Sequence, residues 1–383
     1  MASPRLLATF VALSGLLLAC SPSAPPPAET SSAPPVQPMS TNGPLPAAPA
    51  SCTLADLPVR DKLAQLLTVG VTGAADARAV VADQHVGGIM IGSWTDLSML
   101  TDGSLADIAA NAGPLPLAVS VDEEGGRVSR LAPLIGSQPS ARVLAQNHTP
   151  DEVYGIALGR GQKMRGLGIT VDFAPVVDVT SAPDDTVIGD RSFGSDPATV
   201  TDYAGAYARG LRDAGVLPVL KHFPGHGHGS GDSHTGAVTT PPLADLQNND
   251  LVPYRTLTTA APVAVMVGHL QVPGLTGSDP ASLSPAAYQL LRSGGYGGPA
   301  FNGLIYTDDL SSMAAINQRY GVAEAVLRSL KAGADNALWI TTGEVPAVLD
   351  RLEKAVASGE LSQAGVDASL QRNAAVKGPV RCG

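Results

Sequence analysis

From residue 53 onward, short apolar runs rich in valine, isoleucine and leucine recur along the chain. Each is closed by glycine or a polar cluster and followed by a stretch with helical spacing. The runs are LAQLLTVGV (63–71), VGGIMIGS (86–93), LPLAVSVD (115–122), GITVDFAPVVDV (168–179), GVLPVLKHF (215–223), PVAVMVGHL (262–270), GLIYTDDL (303–310) and NALWIT (336–341). Between them lie amphipathic stretches such as DEVYGIALGRGQKMRGLG (151–168) and YGVAEAVLRSLKAGA (320–334). Continuous apolar runs that alternate with helices predict parallel strands buried on both faces. Eight such units predict a (β/α)8 barrel, with a doubly wound open sheet as the alternative. The first run is the least regular, because it can begin as the end of a helix.

Polar residues cluster at the C-terminal ends of these runs. Asp122 ends the third, Asp172 and Asp178 lie in the fourth, Lys221 and His222 end the fifth, His269 the sixth and Asp308 the seventh. In a parallel barrel all strand C-termini open on one face, where active sites lie. The predicted fold therefore gathers residues that are scattered in sequence into one pocket.

The N-terminus reads differently. After Arg5 comes an apolar run, Leu6 to Ala19, too short to span a bilayer and suited to a secretory h-region. It ends Leu17-Leu18-Ala19-Cys20, which resembles a bacterial lipobox with Cys20 as the lipidated residue. An ordinary signal peptide with a chance cysteine is the alternative. Residues 21–51 are rich in proline, alanine and serine, and Glu29 is their one charge. Such a segment cannot bury apolar surface and reads as an extended tether. The expected organisation is a signal peptide (1–20), a tether (21–51) and one folded domain (52–383). It places the domain on the outer face of the cytoplasmic membrane, held by a lipid on Cys20. Cys52 and Cys382 bracket that domain. In an oxidising compartment they are expected either to pair as a disulfide or to remain as two free thiols.

Charge removes one class of partner. The formal net charge is −10 and no basic stripe occurs, so nucleic acid is excluded as a partner. A monomer is the working expectation.

The stretch KHFPGHGHGSGDSHT (221–235) holds four of the chain's seven histidines, with glycine at every second position from Gly225 to Gly231. A polar surface loop, a metal site and a catalytic loop all fit those residue types. The histidine spacing matches no familiar zinc pattern and no cysteine lies near, so no metal or other cofactor is expected. Asp308 is placed at a strand end, as a nucleophile would be, although an aspartate there can also cap a helix; Asp309 is the better cap.

These motifs have a family likeness. VDEEGGRVSRL (121–131), GITVDFAPVVDV (168–179), GDRSFGSD (189–196), KHFPGHGHGSGDSHT (221–235), VMVGHLQVP (265–273), PASLS (280–284) and YTDDLSSMAAI (306–316) resemble glycoside hydrolase family 3. Within it they resemble the single-domain β-N-acetylglucosaminidases of the NagZ type, over about residues 57–377. The resemblance implies a single catalytic barrel without the second α/β domain of larger members. It implies a retaining enzyme in which Asp308 forms a covalent glycosyl intermediate. His234, paired with Asp232, would act as acid and base. Asp122, Arg130, Arg191, Lys221 and His222 are implied as sugar ligands. The implied substrate is a terminal β-linked N-acetylglucosamine on a peptidoglycan fragment. His226 is expected to shape the PGHG turn, His228 to be solvated, His269 to support the nucleophile, and Asp172 and Asp178 to be structural. For Arg130 a surface salt bridge is the alternative. Gly227, Gly229 and Gly231 are expected to let the loop swing. The competing functions are a phosphorylase, a β-glucosidase, a non-catalytic glycan-binding lipoprotein and a metal enzyme.

Overall fold

The computed structural model describes residues 53–260 and 262–381. Cys20, the segment 21–51, Cys52 and Cys382 lie outside the described residues.

Each apolar run supplies a parallel strand: β1 (Leu67–Val71), β2 (Gly88–Ile91), β3 (Ala118–Val121), β4 (Val171–Asp172), β5 (Leu217–Phe223), β6 (Ala264–Val267), β7 (Ile305–Thr307) and β8 (Ala337–Trp339). They pair in chain order from β1 to β7, and β8 pairs with β1. A parallel bridge between Tyr306 and Asn336 joins β7 to β8 and closes the ring. The open-sheet alternative is thereby excluded. Helices follow the strands, among them Pro150–Gly166 after β3, Pro197–Asp213 after β4 and Val322–Ala332 after β7.

Two runs differ from their sequence reading. In the first, Val59–Ala64 is helical and only Leu67–Val71 is strand. In the fourth, regular pairing covers only Val171–Asp172. Beyond it Pro175 has no N–H to offer a neighbour, and the segment touches β5 through Val176 and Val177, whose N–H donates to the Lys221 carbonyl at 2.7 Å.

Side-chain alternation divides the barrel into two apolar regions. Met90, Ala118, Val171, Phe173, Leu217, Val219, Ala264, Met266, Leu304, Tyr306 and Leu338 pack together inside the ring. Their neighbours Ile89, Val119, Val121, Leu220, Val265, Val267 and Ile305 face outward into the larger layer shared with the helices. The helices start where local chemistry satisfies their free N–H groups. Thr149 and Glu152 form a reciprocal capping box with Pro150 in the first turn, and Asp196 accepts from Thr199 N with Pro197 in the first turn. These two helices pack closely because Gly210 leaves room. A Cβ there would lie 2.6 Å from the Tyr154 carbonyl oxygen.

Ring closure also carries charge. Asp335, fully buried before β8, accepts from Ile305 N at 2.9 Å, Ser369 Oγ at 2.8 Å and Arg372 Nε at 2.8 Å, and pairs with Arg292. It ties β7, the last helix (Gln363–Lys377) and the helix Pro285–Arg292 into one joint. Removing one partner of a buried pair leaves the others uncompensated, at about 3–5 kcal/mol. Asp335→Ala is expected to lose stability on that scale in urea unfolding. A loss under about 1 kcal/mol would show that the joint contributes little beyond a surface ion pair.

Candidate active site

The strand alternation that fills the barrel also aims its polar ends. After Leu304 and Tyr306 the next inward position is Asp308. After Leu217 and Val219 it is Lys221, and after Ala118 and Ser120 it is Asp122. These side chains floor an open cavity of about 200 Å³ at the C-terminal end of the barrel. Arg130, Arg191, His222 and His234 line it as well, so every catalytic or sugar-binding candidate except Asp232 faces one cavity. Asp232 reaches it through His234.

Four charged groups form one network in the floor. Lys221 Nζ lies 2.6 Å from Asp122 Oδ1 and 2.7 Å from Glu124 Oε1. Arg191 grips Glu124 with two hydrogen bonds of 2.8 Å each, in the planar fork that guanidinium makes with carboxylate. Burial pushes the Glu124 carboxyl up, but Arg191 and Lys221 outweigh it and hold the group well below the ordinary carboxylate range. Glu124 was not among the sequence candidates. Its signal was the continued alternation through Ala118, Ser120 and Asp122 in VDEEGG. Glu123 turns the other way, is fully buried, and binds Arg160 and Leu131 N.

Asp308 is buried in the cavity floor, and its Oδ1 accepts Asp309 N at 2.9 Å. Burial raises its pKa, but His269, His222, the Asp309 N–H and Lys221 together bring it below its ordinary value. It is therefore ionised at neutral pH. Asp309 serves the following turn: its carboxylate accepts from the N–H and hydroxyl groups of both Ser311 and Ser312. His269 sits behind this pair. Its Nε2 lies 2.7 Å from the Asp309 carbonyl oxygen, which can only accept, so that nitrogen carries the proton; Nδ1 lies 2.7 Å from Ser282 Oγ.

The glycine-rich loop distributes its histidines. His222 Nδ1 lies 2.7 Å from Asp178 Oδ2, and Asp178 Oδ1 accepts His226 N at 2.7 Å. Asp178 thus satisfies backbone, as a structural residue does, and beyond that expectation it positions the His222 ring. His228 is not merely solvated, for its Nδ1 lies 3.1 Å from Asp250, a hydrogen bond that raises its pKa. His234 Nδ1 lies 2.7 Å from Asp232 Oδ1, with the imidazole 55% exposed at the cavity rim. Among the described residues no three His, Cys, Asp or Glu side chains converge to hold a metal ion.

The loop glycines answer mainly to packing. A Cβ on Gly227 would lie 2.0 Å from the Val179 carbonyl oxygen, and one on Gly229 would meet Val238 at 2.7 Å; only Gly231 is open. The tip is also fastened, since Ala315 N donates to the Ser233 carbonyl at 3.1 Å and Ser233 is buried. That contact brings His234 beside the segment that carries Asp308.

Arg130 lines the cavity half-buried and makes no ion pair among the described residues, which sets aside the surface salt bridge. Trp94, 40% exposed at the rim, was missed. It follows β2 and its ring lies over Gly92, where a Cβ would come within 2.4 Å.

The glycosyl hydrolase family 3 N-terminal domain matches residues 58–376. The chain belongs to glycoside hydrolase family 3. It is 67% identical to beta-hexosaminidase LpqI of Mycobacterium tuberculosis, over 99% of this chain and 98% of that protein. A crystal structure of a family 3 glycosyl hydrolase from Mycobacterium smegmatis superposes with a TM-score of 0.86 at 85% identity, covering 86% of this chain and all of that one. A family 3 β-N-acetylglucosaminidase from Paenibacillus superposes with a TM-score of 0.78 at 34% identity, covering 84% of this chain and 62% of that one. The family 3 barrel and the glycoside hydrolase class are therefore established for this chain.

Asp172 shows how the site's surroundings trade charge against burial. It is fully buried, accepts Glu123 N at 3.0 Å through Oδ1, and has no partner for Oδ2 among the described residues. Burial drives its pKa well above the ordinary value near 3.8; the bond from Glu123 opposes this and the Glu123 charge adds to it. A raised folded-state pKa contributes stability below the unfolded value that is lost as pH climbs toward the folded one. Asp172→Asn removes that loss. The melting temperature of the variant relative to wild type is expected to be more favourable at about pH 8 than at about pH 4. A difference that does not change with pH would mean that Asp172 is ionised in the fold.

Proposed function

We propose that this chain is a retaining β-N-acetylglucosaminidase that removes terminal β-linked N-acetylglucosamine from peptidoglycan fragments. One observation carries the reading. Among the described residues Asp308 is the cavity carboxylate that no cation or hydroxyl holds, whereas Asp122, Glu124 and Asp309 are all engaged. A nucleophile must be ionised and unencumbered, and Asp308 is both. The beta-hexosaminidase name of the Mycobacterium tuberculosis relative supports the sugar class.

The proton donor follows by the same reasoning. Glu124 is held as a carboxylate, and His222 turns its Nδ1 to Asp178 and its Nε2 to the donor-only guanidinium of Arg191 at 3.5 Å, where that nitrogen can only accept. His234 remains, its Nδ1 turned to Asp232 and its Nε2 left for the leaving group. In the first step Asp308 attacks the anomeric carbon, the glycosidic C–O bond breaks, and the leaving oxygen takes the proton from His234. In the second, water attacks the anomeric carbon and gives its proton to His234 while Asp308 departs. Asp232 fixes the tautomer and stabilises the imidazolium. The cavity is smaller than the roughly 300–1,000 Å³ that larger ligands occupy, which suits one terminal sugar. Asp122, Arg130, Arg191, Lys221 and His222 are the groups proposed to hold it.

Asp308→Asn is expected to abolish turnover of every substrate and to escape labelling by a fluorinated sugar that marks the wild type. His234→Ala is expected to lose about 10²–10⁴-fold on muropeptides yet still form the intermediate from an activated aryl glycoside, with azide restoring its breakdown. Equal loss on both substrates without azide rescue would rule out His234 as the acid/base. Free sugar rather than sugar phosphate, with phosphate present, separates hydrolysis from phosphorolysis.

The proposed location is the outer face of the cytoplasmic membrane, through a lipid on Cys20. Its support is the sequence Leu17-Leu18-Ala19-Cys20. Cys20→Ala should release the protein from the membrane fraction with turnover unchanged; retention in that fraction would refute the anchor.

A further inference from the structure

His226 stands apart from the other loop histidines. It is 4% exposed, and both of its ring nitrogens are buried without a hydrogen-bond partner among the described residues. Its ring lines the same cavity as Asp308, Lys221 and His222, and lies edge-on to the His222 ring at 5.9 Å between centroids. Its position is not loose. The backbone N–H is bonded to Asp178, the carboxylate that also holds His222, and its carbonyl accepts Gly229 N at 2.9 Å. Shaping the turn therefore accounts for the backbone of His226 but not for its imidazole. A phenyl or aliphatic group would fill the same space without two unsatisfied polar atoms, whose burial is costly.

We propose that His226 is a further substrate-binding residue, whose imidazole hydrogen-bonds one hydroxyl of the terminal sugar held over Asp308. This rests on the reading of the cavity as a sugar site. Burial lowers the pKa of the ring, which keeps it neutral, so it offers one donor and one acceptor, as a hydroxyl does. A neutral ring with no carboxylate on either nitrogen is a poor general acid. Its part is recognition, beside the proton transfer assigned to His234. His222 and His226 then act as a pair, oriented through Asp178 and reading the sugar from one side of the cavity.

The test uses the full-length chain, the 4-nitrophenyl glycoside of N-acetyl-β-D-glucosamine, and its 3-, 4- and 6-deoxy forms. His226→Phe keeps an aromatic ring, somewhat larger, and removes both nitrogens. It is expected to lower kcat/KM on the parent sugar by about tenfold, the size of one neutral hydrogen bond. On one deoxy sugar, the one lacking the partner hydroxyl, wild type and variant should have equal kcat/KM. On the other two the tenfold difference should persist. His226→Gln, which retains a donor and an acceptor, should recover part of the loss and keeps the test open if the phenyl variant fails to fold. An unchanged kcat/KM in the His226→Phe variant overturns the proposal, as does a loss of the same factor on the parent and all three deoxy sugars. A wild type inactive on the parent sugar overturns the sugar-site reading and this inference with it, whereas an active wild type with an indifferent variant overturns this inference alone.

Discussion

The site depends on the ammonium of Lys221, 2% exposed and set between two carboxylates at the mouth of the barrel. An isolated charge at that depth would be untenable. Asp122 and Glu124 make it possible, and Glu124 in turn requires Arg191. Two negative and two positive groups balance within this network, and the Asp308 carboxylate beside it adds one further negative charge to a densely polar floor. Such a surface is suited to a polyol, because donors and acceptors are already oriented and need no rearrangement when the ligand arrives. The same network places Arg191, drawn in from the long connection after β4. Arg127 and Arg142 hold that connection by binding its carbonyl oxygens at Ala182, Asp184, Thr186 and Ile188.

Identical side chains acquire different chemistry from their partners. His222 is set by Asp178, His228 by Asp250 and His234 by Asp232, while His226 has no ring partner among the described residues. His234 is more than half exposed and His226 is nearly covered. The adjacent aspartates divide in the same manner. Asp309 spends both oxygens on the serines of the next turn, which leaves Asp308 facing the cavity.

Glycine in the histidine loop has more than one meaning. Gly227 and Gly229 sit where a Cβ would strike backbone or a packed valine, so they let the loop lie close against the barrel. Gly231, next to Asp232, has open space around it. With Ser233 buried beneath it, the His234–Asp232 pair is presented at the rim from a fixed footing.

The sequence alone determined an α/β fold of parallel strands, because eight apolar runs with intervening helical stretches bury both faces of each strand; that the sheet closes into a barrel was decided by the structure, through the pairing of β8 with β1 and the Tyr306–Asn336 bridge. It also determined which residues stand at the strand mouths, since a period of two carries the inward register from Leu304 and Tyr306 to Asp308 and from Leu217 and Val219 to Lys221. Local pattern did not reveal where the first and fourth runs leave regular strand. That depended on the helix preceding Leu67 and on Pro175, which donates nothing to its neighbour. The same alternation turns Glu124 inward but did not reveal its ion pairs, nor did local pattern reveal Trp94 or the bare ring of His226. Their roles lie in contacts across the fold: Glu124 meets Arg191 67 residues away, and Lys221 meets Asp122 across 99. A side chain's pattern along the chain tells which way it faces. Only the packed structure decides what it faces, and the charge balance at the barrel mouth is a property of that meeting.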